Sequence, residues 1–145
     1  MLDDNFISVY DKFKLHFYRQ VFELVRERDG SLSAMEAFSL EVINMLDKPT
    51  VGQFAEFLNI SQSNATYKVN NLIKKGYLER QKDSADRRAV RIVPTEKGRQ
   101  ANAHHAQFHR EMVDQGLATL TDDQADALVI ALEGLTRFFR DKYQQ

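Results

Sequence analysis

The sequence predicts a mainly α fold carrying one small β-hairpin, an α+β arrangement, and three observations predict it. Ser33-Ala-Met-Glu36, Thr50-Val-Gly-Gln53 and Thr121-Asp-Asp-Gln124 each have the form of a capping box, in which hydroxyl and carboxamide or carboxylate satisfy orphan N–H groups at a helix start. After Gly76 the apolar period changes from helical to strand-like for some twenty residues. Only two prolines and six glycines occur in 145 residues, which leaves room for long helices and few elaborate loops.

Each element follows in order. Phe6, Val9, Tyr10, Phe13, Phe17, Val21, Leu24 and Val25 form a helical stripe over the first 28 residues, ended by Asp29-Gly30. Ser33 opens a second helix that ends near Leu46. Thr50 starts a short third helix through Leu58, and Asn59-Ile60 makes a tight turn. Ser61 is an N-cap for a fourth helix to about Lys75, with Gly76 at its left-handed C′ position. Tyr77–Lys82 and Ala89–Val93 are strands flanking the polar tip Asp83-Ser-Ala-Asp-Arg-Arg88, and Pro94 ends the second. Thr95 caps a long helix to about Gly116. The last helix turns Leu128, Ala131, Leu132, Leu135, Phe138 and Phe139 to one face.

Composition narrows the function. The chain has no cysteine, which removes disulfides, thiolate zinc sites and thiol catalysis. The longest apolar run is Ala127–Leu132, far short of the roughly 18 residues a membrane span needs, and no leader opens the chain. A cytoplasmic protein without membrane partners is expected. No nucleophile motif, phosphate-binding glycine loop or metal triad is present, so an enzyme is not expected, nor is a cofactor. Net charge is −1, but residues 61–99 hold ten Lys/Arg against four acids. That surplus of +6 leaves −7 on the rest of the chain. A basic island in an acidic chain suits a polyanion.

A short helix, a tight turn, a longer helix and a basic-tipped hairpin make a winged helix-turn-helix, here with terminal helices expected to dimerise. Residues 33–99 are the expected DNA-binding lobe, and 1–32 with 100–145 the dimerisation region. At 100° per residue, Ala65, Val69, Leu72 and Ile73 share the fourth helix's inner side. Ser63, Tyr67, Asn70 and Lys74 form the opposite stripe, flanked by Asn64, Thr66 and Asn71. With Ser61 at the cap, these are donors, acceptors and one aromatic body suited to base edges, thymine methyls and phosphates of double-stranded DNA. No Asp or Glu occurs from Ser61 to Lys75, whereas a merely solvated helix would more often carry Glu/Lys pairs.

The hairpin resembles that of the MarR family of winged-helix regulators: Asp86, Arg88, Thr95 and Gly98 stand at the spacings of its wing signature. The resemblance implies that Arg88 contacts the minor groove and that Asp86 braces the wing by ion pairing. Arg87 beside them suits a phosphate. Pro94 departs from the family's Leu at that place, a departure that could shorten the strand but that is tolerated at a strand end. A homodimeric repressor reading a pseudo-palindromic operator follows from the resemblance and from the apolar terminal helices.

Two readings of a switch stay open. His105 and His109, spaced i, i+4, could present two imidazoles to zinc in a zinc-responsive regulator, but no clear carboxylate stands at matching spacing, and packing at a helix surface is the favoured explanation. The stretches His105–Val113 and Ala127–Phe139 resemble the fatty-acid-biosynthesis repressor branch, in which acyl chains on acyl carrier protein raise operator affinity. An effector pocket for an acyl or aromatic molecule would then involve Phe13, Phe17, Phe38, His105, Phe108 and His109. The same phenylalanines also read as core. A winged-helix protein-interaction adaptor that does not bind DNA is the other class, and it would be expected to lack both the basic wing and the acid-free helix.

Overall fold

The computed structural model describes residues 1–25, 31–86 and 88–143. Its elements are α1 (Leu2–Leu24), α2 (Ala34–Met45), α3 (Val51–Leu58), α4 (Gln62–Lys74), β1 (Leu78–Lys82), β2 (Val90–Pro94), α5 (Glu96–Leu117) and α6 (Asp122–Tyr143). This is the expected order. The Asp29-Gly30 stop expected for α1 lies outside the described residues; the helix itself closes at Leu24, with the Val25 amide bonded to the Val21 carbonyl at 3.0 Å.

The three capping boxes form as reciprocal pairs. Glu36 N–H donates to Ser33 Oγ at 3.2 Å while Ser33 N–H donates to Glu36 Oε2 at 2.7 Å. Thr50 and Gln53 exchange bonds of 2.9 and 3.1 Å, and Thr121 and Gln124 bonds of 3.0 and 3.4 Å. The turn between α3 and α4 is tight because Asn59 takes a left-handed conformation (φ 52°), which Asn tolerates better than most residues. Gly76 (φ +79°) closes α4 in the same region.

The strands form an antiparallel hairpin in which Leu78 faces Pro94 and Lys82 faces Val90. Pro94 therefore does not shorten β2. As the terminal strand residue it lies where a missing N–H costs the ladder least. Tyr77, expected in β1, precedes it. A bridge between Thr50 and Arg91, with Ile92 N–H donating to the Pro49 carbonyl at 2.8 Å, ties β2 to the start of α3.

By packing, the chain divides into residues 1–105 and 106–145. The first unit has a continuous core of Val21, Leu32, Leu40, Ile43, Phe54, Ala65, Val69, Leu72, Leu78 and Ile92. Each of the larger side chains contributes roughly 1.5–3 kcal/mol by burial. Val21 on α1 lies in the same core as Leu72, and Phe17 and Val25 pack against it. The second unit holds most of α5 with α6. No helix among the described residues is long and apolar enough to cross a membrane.

Candidate nucleic-acid interface

The fourth helix has two chemically distinct sides. Ala65, Val69 and Leu72 are wholly buried and Ile73 packs at the core's edge. Ser63, Asn64, Tyr67, Asn70 and Lys74 are exposed, Tyr67 by two-thirds of its surface (66%). Ser61 serves as the cap: its Oγ accepts the Asn64 N–H and lies 3.2 Å from Ser63 Oγ. Thr66 is half-buried and donates to the Gln62 carbonyl at 2.8 Å, so its hydroxyl serves its own helix. Asn70 Oδ1 accepts a 2.7 Å hydrogen bond from Arg80 Nη2 on β1.

The wing tip is organised by Asp83, which the charge pattern of the sequence does not single out. Asp83 accepts the N–H groups of Ala85 (2.7 Å) and Asp86 (3.3 Å) and pairs with the Arg91 guanidinium. Those backbone N–H groups, Ala85 first, together with Arg91 hold the Asp83 carboxyl below its ordinary range. Arg91 in turn donates to Gln53 Oε1 at 3.1 Å, joining the wing to α3. The Asp83-Ser-Ala-Asp run is an Asx-turn pattern, the signal that could have marked it. Asp86 Oδ1 accepts the Arg88 backbone N–H at 2.9 Å, and among the described residues the salt bridge at the wing is Asp83–Arg91. Asp86 is exposed, where a local backbone bond needs no second side chain to be ordered.

At the wing's base, Thr95 and Gly98 join hairpin to helix. Thr95 N–H donates to the Tyr77 carbonyl at 3.0 Å, its Oγ1 donates to the Gly76 carbonyl at 2.6 Å, and the same oxygen caps the Gly98 N–H. A Cβ at Gly98 would be driven into the Tyr77 carbonyl oxygen, so only glycine fits. Lys97 Nζ reaches the Lys75 carbonyl and lies 4.2 Å from the Tyr77 ring centroid. Lys75 pairs with Glu36 at 2.7 Å. Burial alone would raise the Glu36 carboxyl, but bonds from Lys75 and Ser33 outweigh it and hold it below its ordinary range.

The basic island thus splits into two sets. Lys75, Arg91 and Lys97 serve the fold, whereas Lys74, Lys82 and Arg88 are exposed and, among the described residues, have no carboxylate partner. Arg87 lies outside the described residues.

Of the residues expected at an effector or metal site, Phe13, Phe17 and Phe38 have described side chains. Phe17 and Phe38 stack on each other, centroids 5.8 Å apart, and both pack on the lobe's core, so those two rings serve as core. Phe13 is half-buried. The side chains of His105, Phe108 and His109 lie outside the described residues, and no group of three or more metal-ligating side chains exists among the described ones.

A short helix, a tight left-handed turn, an exposed acid-free helix and a braced basic hairpin define a winged helix-turn-helix of the kind transcriptional regulators use. Residues 31–89 match the model of the MarR family. Over 116 residues, 77% of this chain and 82% of the relative, the sequence is 28% identical to an HTH-type transcriptional regulator of Bacillus subtilis, YpoP. The crystal structure of Streptococcus pneumoniae FabT in complex with DNA is 27% identical, with a TM-score of 0.60 over 94% of this chain and 98% of that one. The regulator Tm0710 of Thermotoga maritima shares the fold at 20% identity and TM-score 0.60, covering 98% and 99%. Residues 31–89 are thus similar to the MarR family of regulators, and over most of its length the chain is similar to HTH-type transcriptional regulators.

Proposed function

We propose that this chain is a transcriptional regulator, a homodimer that represses by binding a pseudo-palindromic operator, with α4 in the major groove and Arg88 at the minor groove. The observation that carries the reading is the pairing of an exposed, acid-free polar stripe on α4 with a wing whose Arg88 has no carboxylate partner among the described residues. Ser63, Asn64 and Tyr67 lie in the helix's N-terminal half, the part that meets base edges in helix-turn-helix docking, and Lys74 lies further along, where phosphate rises past the helix. FabT, of similar sequence over nearly the whole chain, forms a complex with DNA. Dimerisation is supported by the apolar side chains left exposed on α1 and α6, among them Phe6, Tyr10, Ile130, Phe138 and Phe139. Two recognition helices about one DNA turn apart require such a dimer.

Binding without catalysis is the whole activity proposed, in the cytoplasm and without a cofactor. An acyl effector delivered by acyl carrier protein rests on the branch resemblance alone. The test of the central reading is a gel shift with salt titration. Wild type should show steep salt dependence, and Arg88→Ala should weaken operator binding strongly, its log–log salt slope falling by about 0.9 for each phosphate that is no longer neutralised. An Arg88→Ala variant that binds as well as wild type at every salt concentration removes the wing from the interface.

A further inference from the structure

We propose that Arg80 is a DNA-contacting residue at the junction of recognition helix and wing, and that Asn70 positions it instead of reading a base. The inference rests on the docking of α4 proposed above. Asn70 stands on the exposed stripe with Tyr67 and Lys74, where its carboxamide would ordinarily be taken for a base reader. Reading adenine takes both ends of the amide: Oδ1 accepts from N6 while Nδ2 donates to N7. Asn70 Oδ1 already accepts the 2.7 Å hydrogen bond from Arg80 Nη2. That bond takes one of the two Oδ1 lone pairs and holds the carboxamide in the orientation Arg80 requires, so a two-point pair with adenine would compete with it.

The other side of the bond gains what Asn70 loses. Arg80 is exposed on β1, ten residues further along the chain, and the bond draws its guanidinium to the groove-facing side of α4. A guanidinium has five N–H donors in a fixed plane, and one is spent on Asn70. No carboxylate pairs with Arg80 among the described residues, in contrast to Arg91 with Asp83 and Arg99 with Glu96. An uncompensated, planar fork whose orientation is fixed by a neutral neighbour suits the phosphate of a backbone passing between helix and wing. Arg80 thus supplies affinity, and Asn70 supplies the geometry in which Arg80 does so.

The full-length chain is titrated, by fluorescence anisotropy over a range of salt concentrations, onto a duplex of about 30 base pairs, three helical turns, carrying the sequence that wild type selects from a random pool. Arg80→Ala should lower the salt slope by about 0.9 per bound subunit and leave the preferred bases unchanged. Asn70→Ala should lose part of that affinity, also without changing the preferred bases, and should add nothing when Arg80 is already Ala. Arg80→Lys should keep the slope while making binding indifferent to Asn70→Ala. Both side chains are exposed, so unchanged melting curves check that the variants fold. The inference is overturned if Arg80→Ala leaves slope and affinity as in wild type while Arg88→Ala lowers them. It is overturned equally if Asn70→Ala changes the selected bases in both Arg80 backgrounds. If wild type itself shows no salt-dependent binding to any duplex, the docking of α4 fails and this assignment with it.

Discussion

On α4, Ala65, Val69 and Leu72 are entirely withdrawn from solvent, while on α6 Val129, Ile130, Leu132, Phe138 and Phe139 each leave about half or more of their surface exposed. Both helices are amphipathic in sequence. The first has spent its apolar side on the lobe's core and offers polar groups outward. The second offers its apolar groups outward, between acidic first-turn residues Asp122 and Asp123 and basic last-turn residues Arg140 and Lys142 that favour the helix itself. The difference separates what folding requires from what assembly requires. The lobe around α4 satisfies its own hydrophobic demand, so its exposed side is free for a polar ligand. The exposed side of α6 is apolar, which a second copy of the chain would relieve.

The sharpest way to break this contrast is to place the same charge on each side of it. Val69→Asp puts a carboxylate into a fully buried site and should cost more than about 4 kcal/mol, enough to unfold the lobe. Val129→Asp, at a site 53% exposed, should leave thermal unfolding nearly unchanged but shift sedimentation equilibrium toward the 16.8 kDa monomer. Equal effects on stability would erase the distinction.

Gly98→Ala tests whether the lobe's base is as closely packed as its core. The Tyr77 carbonyl would have to move, at a cost of about 1–3 kcal/mol, read as a lowered midpoint in urea unfolding. Within the polar side of α4, Asn64→Ala and Tyr67→Ala should each relax base preference at one position per half-site, by about 1–3 kcal/mol, while Lys74→Ala lowers affinity for all sequences alike. Selection of bound sequences for the three variants distinguishes them. A change of preferred bases in Lys74→Ala alone would reverse the helical register.

The smallest effect concerns Glu36. Its folded-state pKa lies below the ordinary value of 4.5, so the Lys75–Glu36 pair contributes stability that is complete above that value and is lost as pH falls through the lower one. Glu36→Gln should therefore flatten the acid limb of the stability–pH curve below about pH 4.5 and leave its shape near neutrality unchanged. An identical acid limb in both proteins would remove the pair from the lobe's stability.

Local chemistry explains why so much of the fold is legible in the sequence. Ser33, Thr50, Ser61 and Thr121 each cap a helix through a partner three residues away, and such bonds are written in short sequence. The buried side of α4 follows from spacing alone. The site is less legible where partners are distant or where a residue has two uses. Asn70 and Arg80 meet only because the hairpin folds back beside α4, so in sequence the amide looks free for a base. Asp83 and Arg91 read as wing charges, but the pairing across the tip and onward to Gln53 is tertiary. Pro94 reads as a strand end that could shorten β2, and its harmless place opposite Leu78 depends on register. Phe17 and Phe38 read more simply as core than as pocket, and they stack on each other and pack against the lobe's core.

The most direct measurement is selection of bound duplexes from a random pool by the full-length wild-type chain, at two salt concentrations. A lobe with its polar side outward, doubled by the apolar helices, predicts an inverted repeat whose half-site centres lie about one turn, 10–10.5 base pairs, apart, with enrichment falling steeply as salt rises. Recovery of no motif at either salt concentration, or of a single unrepeated half-site, would contradict it.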